Sequence, residues 1–314
     1  MLSFVTDTST TFADAWERWL AYRRVSPRPL RLSTLADYRS AYRCHLAPRL
    51  AQMALHEIDG SVIVALVVEL GDGGIAAKRL SNVLVPLRAC LNWHHRMGTF
   101  ARDPAPWFDA TAPGADERRI LTLAQVEALV AATPGPFRMF VMTAAYTGMR
   151  CGELRALTWA DLDLTRRTAS VDKTYFREHL QRSTKTGQNR VVPLPPHVAD
   201  ALEAWRETCP ASGADLVFPR ASGRPIDADD FRRRVFRPAA ERAGLPAGLR
   251  FHDLRHTSAS LHLQHGATVA EVMEIHGWRQ LQTAMRYLHT GEELARSAQR
   301  LSEARERECG VPPP

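Results

Sequence analysis

The stretch Tyr146-Thr-Gly-Met-Arg150-Cys-Gly-Glu153-Leu joins two predicted helices through a glycine and puts an arginine at the start of the second. Gly148 permits a sharp bend, so we predict one helix over 137–146 and another over 150–157. A cation in the first helical turn opposes the helix dipole, unless Arg150 and the helix N-terminus bind a phosphate together. Glu153 could then orient Arg150. A surface ion pair between the two is the alternative, and the stretch alone favours it.

A second polar stretch is His252-Asp-Leu-Arg255-His256. On a helix, residues three and four positions apart share a face, so two imidazoles and a guanidinium would lie together. A guanidinium binds a phosphate through two hydrogen bonds, and an imidazole beside it can donate another or move a proton. A solvated polar face or a capping cluster explains the pattern about as well.

Lys185 is one of three lysines in a chain whose 41 basic residues are otherwise arginines. It lies between two strand-like segments, 168–172 and 190–194, next to the turn formers Gly187 and Asn189. These features predict a β-hairpin with Lys185 near its tip. There it could donate a proton, which arginine does not readily do. An ordinary exposed lysine is the alternative.

The last stretch is Gly277-Trp278-Arg-Gln-Leu-Gln-Thr-Ala-Met-Arg286-Tyr287. A tyrosine in such a setting usually packs in a core or an interface, and the neighbouring Met285 and Leu288 fit that interpretation. By itself the stretch therefore assigns no chemistry to Tyr287.

The composition is that of an ordinary globular protein, with 45% hydrophobic and 24% charged residues among 314. The formal net charge of +7 permits a polyanionic partner such as nucleic acid. The five scattered cysteines contain no C-x-x-C pair, which indicates neither a disulfide framework nor a zinc site. Without a visible secretion signal or a membrane-length apolar run, we expect a cytoplasmic protein.

The chain length fits two domains. Apolar residues recur at helical spacing near the N-terminus, and proline, glycine and charge concentrate over 102–119. Thr122 and Gln125 have capping-box spacing before the next helix. We therefore predict a helical domain at 1–110, a linker at 111–119 and a second domain at 120–314, which ends with a helix over 292–308.

Taken in order, these stretches resemble the motifs of the tyrosine recombinases, the phage integrase family. That family carries an arginine in T-G-x-R-x-x-E, a lysine on a β-hairpin, H-x-x-R, and a tyrosine nine residues after a histidine or tryptophan. The matching residues here are Arg150, Lys185, His252, Arg255, Trp278 and Tyr287. Many members have L-G-H where this chain has His276-Gly277-Trp278. The spacing to Tyr287 selects Trp278, whereas His276 would need a register change. The resemblance covers about residues 120–290.

Residues 1–110 are similar, less specifically, to the helical, SAM-like core-binding domain of integrases. The stretches Ser33-Thr34-Leu-Ala-Asp-Tyr38-Arg and Pro48-Arg-Leu carry that similarity. The resemblance implies a mainly α fold with a small antiparallel β-sheet, in which a core-binding and a catalytic domain clamp double-stranded DNA.

The resemblance also implies the chemistry. Tyr287 would attack a DNA phosphate that Arg150 and Arg255 hold, His252 and Trp278 would donate hydrogen bonds, and Lys185 would protonate the leaving oxygen. The product is a 3′-phosphotyrosine, and no metal or other cofactor takes part.

The expected function is site-specific recombination, either integration and excision of a mobile element or resolution. The expected partners are a homotetramer in the synaptic complex and a DNA-bending accessory protein. We expect the C-terminal helix to dock on a neighbouring protomer. A DNA-binding relative that does not cleave, or a topoisomerase of type IB chemistry, remains an alternative.

Overall fold

The computed structural model describes residues 10–99, 119–181, 189–287 and 303. The chain divides into two compact units, 1–116 and 117–314. Helices dominate both, and short antiparallel sheets lie in the second, which confirms the predicted fold class. The predicted linker lies almost wholly outside the described residues, and of the predicted C-terminal helix only Glu303 lies within them. Within the described ranges, every helix is too short or too polar to span a lipid bilayer.

The N-terminal unit is helical wherever it has regular structure among the described residues. Its α-helices are α1 (Phe12–Val25), α2 (Leu32–Ala41), α3 (Ala47–Leu50), α4 (Gly60–Asp72) and α5 (Ala77–Arg96). A π-helical turn, Tyr42–Leu46, joins α2 to α3. Thr11 caps α1 by accepting from the backbone N–H of Asp14 at 3.2 Å. Asp59 caps α4 in the same way, and polar caps of this kind favour the start of a helix.

Aromatic side chains fill the core of the N-terminal unit. Phe12, Trp16 and Trp19 are buried on one face of α1, as the helical spacing of the sequence predicts. Trp16 stacks on Tyr42 with ring centroids 4.8 Å apart. The buried imidazole of His94 contacts the carbonyl of Ala15 at 2.9 Å, which ties α5 to α1.

The second unit has its own hydrophobic core and surrounds it with helices. These are α6 (Leu123–Ala132), α7 (Gly135–Thr147), α8 (Cys151–Ala156), α9 (Pro196–Thr208), α10 (Ala228–Phe231), α11 (Arg237–Arg242), α12 (Asp253–Gln264), α13 (Val269–His276) and α14 (Leu281–Met285). The predicted capping box at the start of α6 is present, with Thr122 and Gln125 bonded reciprocally. Helix α12 packs against both α7 and α13.

Strands separate α8 from α9. They are β1 (Leu162–Asp163), β2 (Thr168–Val171), β3 (Thr174–Phe176), β4 (His179–Gln181) and β5 (Arg190–Pro193). One antiparallel sheet has the order β1-β2-β5, in which Val171 lies opposite Arg190 and Thr168 opposite Pro193. The pairing of β2 with β5 confirms the predicted strands. The sequence did not predict the second hairpin, β3 with β4, which lies between them.

Candidate active site

The glycine turn between α7 and α8 brings two parts of the site together. Gly148 ends α7 in the left-handed region, at φ +62°. A Cβ atom there would overlap the imidazole of His276 and lie 3.0 Å from the hydroxyl of Ser258, so only glycine fits. The Gly148 carbonyl accepts a hydrogen bond of 2.6 Å from Nη1 of Arg255. The turn therefore both starts the helix after Arg150 and holds the second arginine.

Arg150 is fixed by the carboxylate of Glu153. Arg150 stands at the N-cap of α8, one residue before the predicted position in the first turn. Its backbone N–H and its Nη1 each donate to Glu153, both at 2.8 Å. The Arg150 side chain keeps 21% of its surface exposed, whereas that of Glu153 keeps 1%. The predicted orientation of Arg150 by Glu153 is thus present, but the carboxylate is buried rather than on the surface.

A second arginine, Arg190, also binds Glu153. Its Nη2 and Nη1 donate to the two carboxylate oxygens at 2.7 and 3.1 Å, and its Nε donates to the carbonyl of Ile275 at 2.9 Å. Burial disfavours the charged form of Glu153, but the hydrogen bonds and charge of Arg190, with the charge of Arg150, outweigh it and lower the pKa to about 2. Arg190 thereby connects β5, α8 and the end of α13.

The guanidinium of Arg255 is held by two backbone carbonyls. It is 3% exposed and donates to Gly148 and, from Nη2, to the carbonyl of His276. Its carbon Cζ lies 5.7 Å from the ring centroid of Trp278. Burial and the charge of Arg150 lower the pKa of Arg255 to about 9, so it stays cationic at neutral pH. Carbonyls are neutral, so these bonds orient the cation without cancelling its charge.

Two histidines lie at the start of α12, His252 at its N-cap and His256 one turn later. The rings of His252 and His256 meet edge to face, with centroids 5.1 Å apart. Desolvation, then the charges of His256, Arg255 and Arg150, lower the pKa of His252 to about 4, although the residue remains exposed. His252 is therefore neutral at pH 7 and can donate one ring N–H.

Tyr287 is buried against these groups, with 3% of its surface exposed. Its hydroxyl forms a hydrogen bond with Nδ1 of His256. Its ring stacks on Trp278, with centroids 5.2 Å apart and planes 10° apart. The structure therefore brings Tyr287, Trp278 and Arg255 into one cluster, although the sequence by itself fits a plain core tyrosine.

Trp278 and His276 occupy different places around the left-handed Gly277 that ends α13. His276 is fully buried, and its Nδ1 contacts the carbonyl of Val272 at 3.0 Å. Burial, then the charge of Arg255, lowers the pKa of His276 well below its ordinary value. Trp278 is half-buried and contacts Tyr287 directly. The backbone carbonyl of His276, rather than its imidazole, is what binds Arg255.

Lys185 lies outside the described residues. The described Lys173 is engaged elsewhere, because its ammonium donates to Thr158 at 3.0 Å and to Asp161 at 2.8 Å. Within the described part of the chain, no group of three or more His, Cys, Asp or Glu residues could hold a metal ion.

Sequence reasoning missed Arg190 and gave no separate role to His256. One signal could have identified Arg190. It lies two residues before Val192 and therefore on the same inward face of β5, where a charged side chain needs a buried partner. His256 was placed on the correct helix face, but nothing in the sequence connected it with Tyr287.

Comparison with known proteins identifies the family. A model of the phage integrase family matches residues 119–293, more than half of the chain. A protein described as the prophage phiRv2 integrase of Mycobacterium tuberculosis is 30% identical over 307 residues, which cover 94% of this chain and 80% of that protein. The tyrosine recombinase XerC of Xanthomonas campestris is 27% identical over 282 residues, with 88% and 84% covered.

Solved structures share the fold at lower identity. The Tn1549 transposon integrase in complex with transposon right end DNA has a TM-score of 0.79 at 18% identity, covering 93% of this chain and all of that one. A lambda integrase tetramer bound to a Holliday junction has a TM-score of 0.71 at 20% identity, covering 90% and 78%. The chain therefore belongs to the phage integrase family of tyrosine recombinases, the DNA breaking and rejoining enzymes of site-specific recombination.

Proposed function

We propose that Tyr287 is the nucleophile of this recombinase and that each strand cut leaves the DNA joined to it as a 3′-phosphotyrosine. One observation carries the proposal. The hydroxyl-bearing ring of Tyr287 lies in the same cluster as the guanidinium of Arg255, although Arg255 lies in the first turn of α12 and Tyr287 follows α14. Nη1 of Arg255 binds the carbonyl of Gly148, two residues before Arg150, and this contact joins the cluster to the start of α8.

The cluster is suited to a phosphodiester because it concentrates fixed positive charge. Arg150 and Arg255 would bind the non-bridging oxygens, whose charge grows in the transition state. Both guanidinium groups are held by protein acceptors before DNA arrives, so little reorganisation is needed when it binds. Neutral His252 and the indole N–H of Trp278 would add hydrogen bonds to the same oxygens. We assign this donor role to Trp278 rather than His276 because the Trp278 ring contacts Tyr287.

The bond changes balance without an outside energy source. The phenolic oxygen of Tyr287 forms a bond to phosphorus while the bond from phosphorus to the 5′ oxygen breaks. Lys185 would give the departing oxygen its proton. One phosphate ester replaces another, so a free 5′ hydroxyl from a partner strand can reverse the step and rejoin the DNA.

The relatives support a proposal for the assembly and the biological process. A homotetramer on DNA is supported by the lambda integrase assembly on a Holliday junction, and mobile-element integration by the similarity to a prophage integrase. We propose integration and excision in the cytoplasm, assisted by a DNA-bending accessory protein. The two units, with a boundary near residue 116, would serve as the core-binding and catalytic domains.

Covalent trapping tests the proposal. A nicked suicide substrate carrying a site that flanks the coding region should leave the full-length protein joined to DNA, detected as a slower band on a denaturing gel. Tyr287→Phe should give no adduct because it lacks the attacking oxygen. An adduct that persists in that variant would overturn Tyr287 as nucleophile. Relaxation of any supercoiled plasmid by the monomer would instead point to a topoisomerase, and binding without an adduct to a non-cleaving relative.

A further inference from the structure

A group without an assigned role lies against the proposed nucleophile. Nδ1 of His256 forms a hydrogen bond with the hydroxyl of Tyr287, and the two rings are stacked with centroids 5.7 Å apart and planes 27° apart. The reaction requires the Tyr287 hydroxyl to lose a proton, because a phenolate oxygen is a far stronger nucleophile than a phenol.

Helix geometry and packing hold this contact in place. His256 lies on α12, one turn after the N-cap His252, and its side chain is partly buried. Tyr287 is held at the same time by Trp278 and by the small apolar cluster that contains Ala259 and Leu263. The hydroxyl is therefore presented to the ring nitrogen rather than to bulk water.

We propose that His256 is the general base for Tyr287, an inference that rests on the proposed function. The lone pair of Nδ1 takes the hydroxyl proton as the phenolic oxygen bonds to phosphorus and the 5′ oxygen leaves with a proton from Lys185. On rejoining, the 5′ hydroxyl returns its proton to Lys185 while the His256 imidazolium reprotonates Tyr287. Protons and charge then balance over the full cycle.

The chemistry of the neighbouring groups favours His256 for this task. Arginine is a cation with no lone pair to accept a proton, and the indole of Trp278 is a donor only. The imidazole of His252 packs edge to face against the ring of His256, and it is His256 that forms the hydrogen bond with the Tyr287 hydroxyl. An imidazole is also the side chain whose ordinary pKa lies nearest to neutral, which suits a base that must both take and return a proton.

Replacing His256 by asparagine distinguishes a general base from a side chain that only positions the Tyr287 hydroxyl. The amide oxygen of Asn lies near the place of Nδ1 and still accepts a hydrogen bond, but it is a very weak base. In the full-length protein, His256→Asn should form the adduct roughly 10²–10⁴-fold more slowly than the wild type on the nicked substrate. His265→Asn is the matched control, because His265 is exposed at the far end of α12 and should leave the rate unchanged.

A substrate with sulfur in place of the bridging 5′ oxygen assigns the defect to one side of the reaction. A thiolate leaves without a proton, so this substrate should restore the rate of Lys185→Ala, whereas His256→Asn should stay slow because Tyr287 must still lose its proton. Melting curves check that the variants are folded, and His256→Gln replaces His256→Asn if the latter is not.

Two results would overturn the role of His256 while leaving the proposed function intact. One is a wild-type rate in folded His256→Asn, which would make the contact a spacer. The other is full rescue of that variant by the sulfur substrate, which would place His256 on the leaving group. Absence of any adduct with the wild-type protein would instead count against the proposed function itself.

Discussion

The two units bury very different groups. The core of the N-terminal unit contains several aromatic rings. Its buried polar residues, among those described, are Thr10, Ser26, Ser81 and His94. Among its described residues, the second unit buries five charged side chains, namely Glu153, Arg155, Arg190, Asp253 and Arg255. Removing a charge from water costs several kcal/mol, so charges stay buried only where partners compensate them.

This difference in buried groups distinguishes a core that only stabilises the fold from one that also positions the side chains of the candidate active site. The aromatic rings around Trp16 pack α1 against the π-helical turn that contains Tyr42. In the second unit, the buried carboxylate of Glu153 joins Arg150 to Arg190, and backbone carbonyls hold Arg255. In one unit burial stabilises the fold, and in the other it also fixes the direction of two guanidinium groups.

Glu153→Gln should have the largest effect and should confine it to the second unit. A neutral amide leaves Arg150 and Arg190 without their counter-charge, and breaking a buried pair of this kind costs about 3–5 kcal/mol. Because folding lowers the pKa of Glu153 from 4.5 to about 2, the carboxylate stabilises the wild type fully above pH 4.5 and loses that effect as the pH falls towards 2. The gap between wild type and variant should shrink over that range.

Urea unfolding across pH measures this gap, and hydrogen exchange shows where protection is lost. The exposed pair of Glu241 with Arg237 supplies the control, since Glu241→Gln should cost no more than about 1 kcal/mol. Equal loss of protection in α1 and in α8 would contradict the separation of the two units.

Arg255→Lys should slow covalent adduct formation by roughly 10²–10³-fold. A guanidinium has five N–H donors in one plane, so it can bind the carbonyls of Gly148 and His276 and still donate two hydrogen bonds to a phosphate. A lysine ammonium is a compact charge with three donors and cannot make both sets of contacts. Single-turnover cleavage measures the effect, and Arg166→Lys on the exposed β1–β2 turn is the control. A rate close to that of the control would mean that positive charge alone suffices at this position.

Two helix caps, one in each unit, should contribute equally to stability but differ in their effect on cleavage. Asp59 caps α4 by accepting from the N–H groups of Ser61 and Val62, and Thr268 caps α13 through Glu271. Replacing either Asp59 or Thr268 by alanine should cost about 1 kcal/mol of stability. Only Thr268→Ala should also slow cleavage, because α13 ends at the carbonyls that hold Arg190 and Arg255. Thermal melts and cleavage rates of both variants test this, and equal slowing would count against it.

Much of the fold could be predicted because its signals are local. The bend at Gly148, the capping box at Thr122 and the helix around His252 depend on neighbours within one or two turns, and each is present. The family could be predicted for a related reason, because the order of its motifs can be read directly from the amino-acid sequence. The match to the family model over residues 119–293 confirms it. The β3–β4 hairpin was missed because its strands are three residues long, too short to show an alternating pattern.

The bend at Gly148, the capping box that starts α6, the pairing of β2 with β5 and the membership of a recombinase family could all be predicted from the amino-acid sequence. Packing between distant elements accounts for three contacts that no local pattern predicts: Glu153 binds two arginines, the carbonyl of His276 rather than its ring binds Arg255, and His256 contacts Tyr287. The physical reason is distance along the chain. Local propensities act within a few residues, whereas these contacts join separate elements whose approach depends on packing of the whole core.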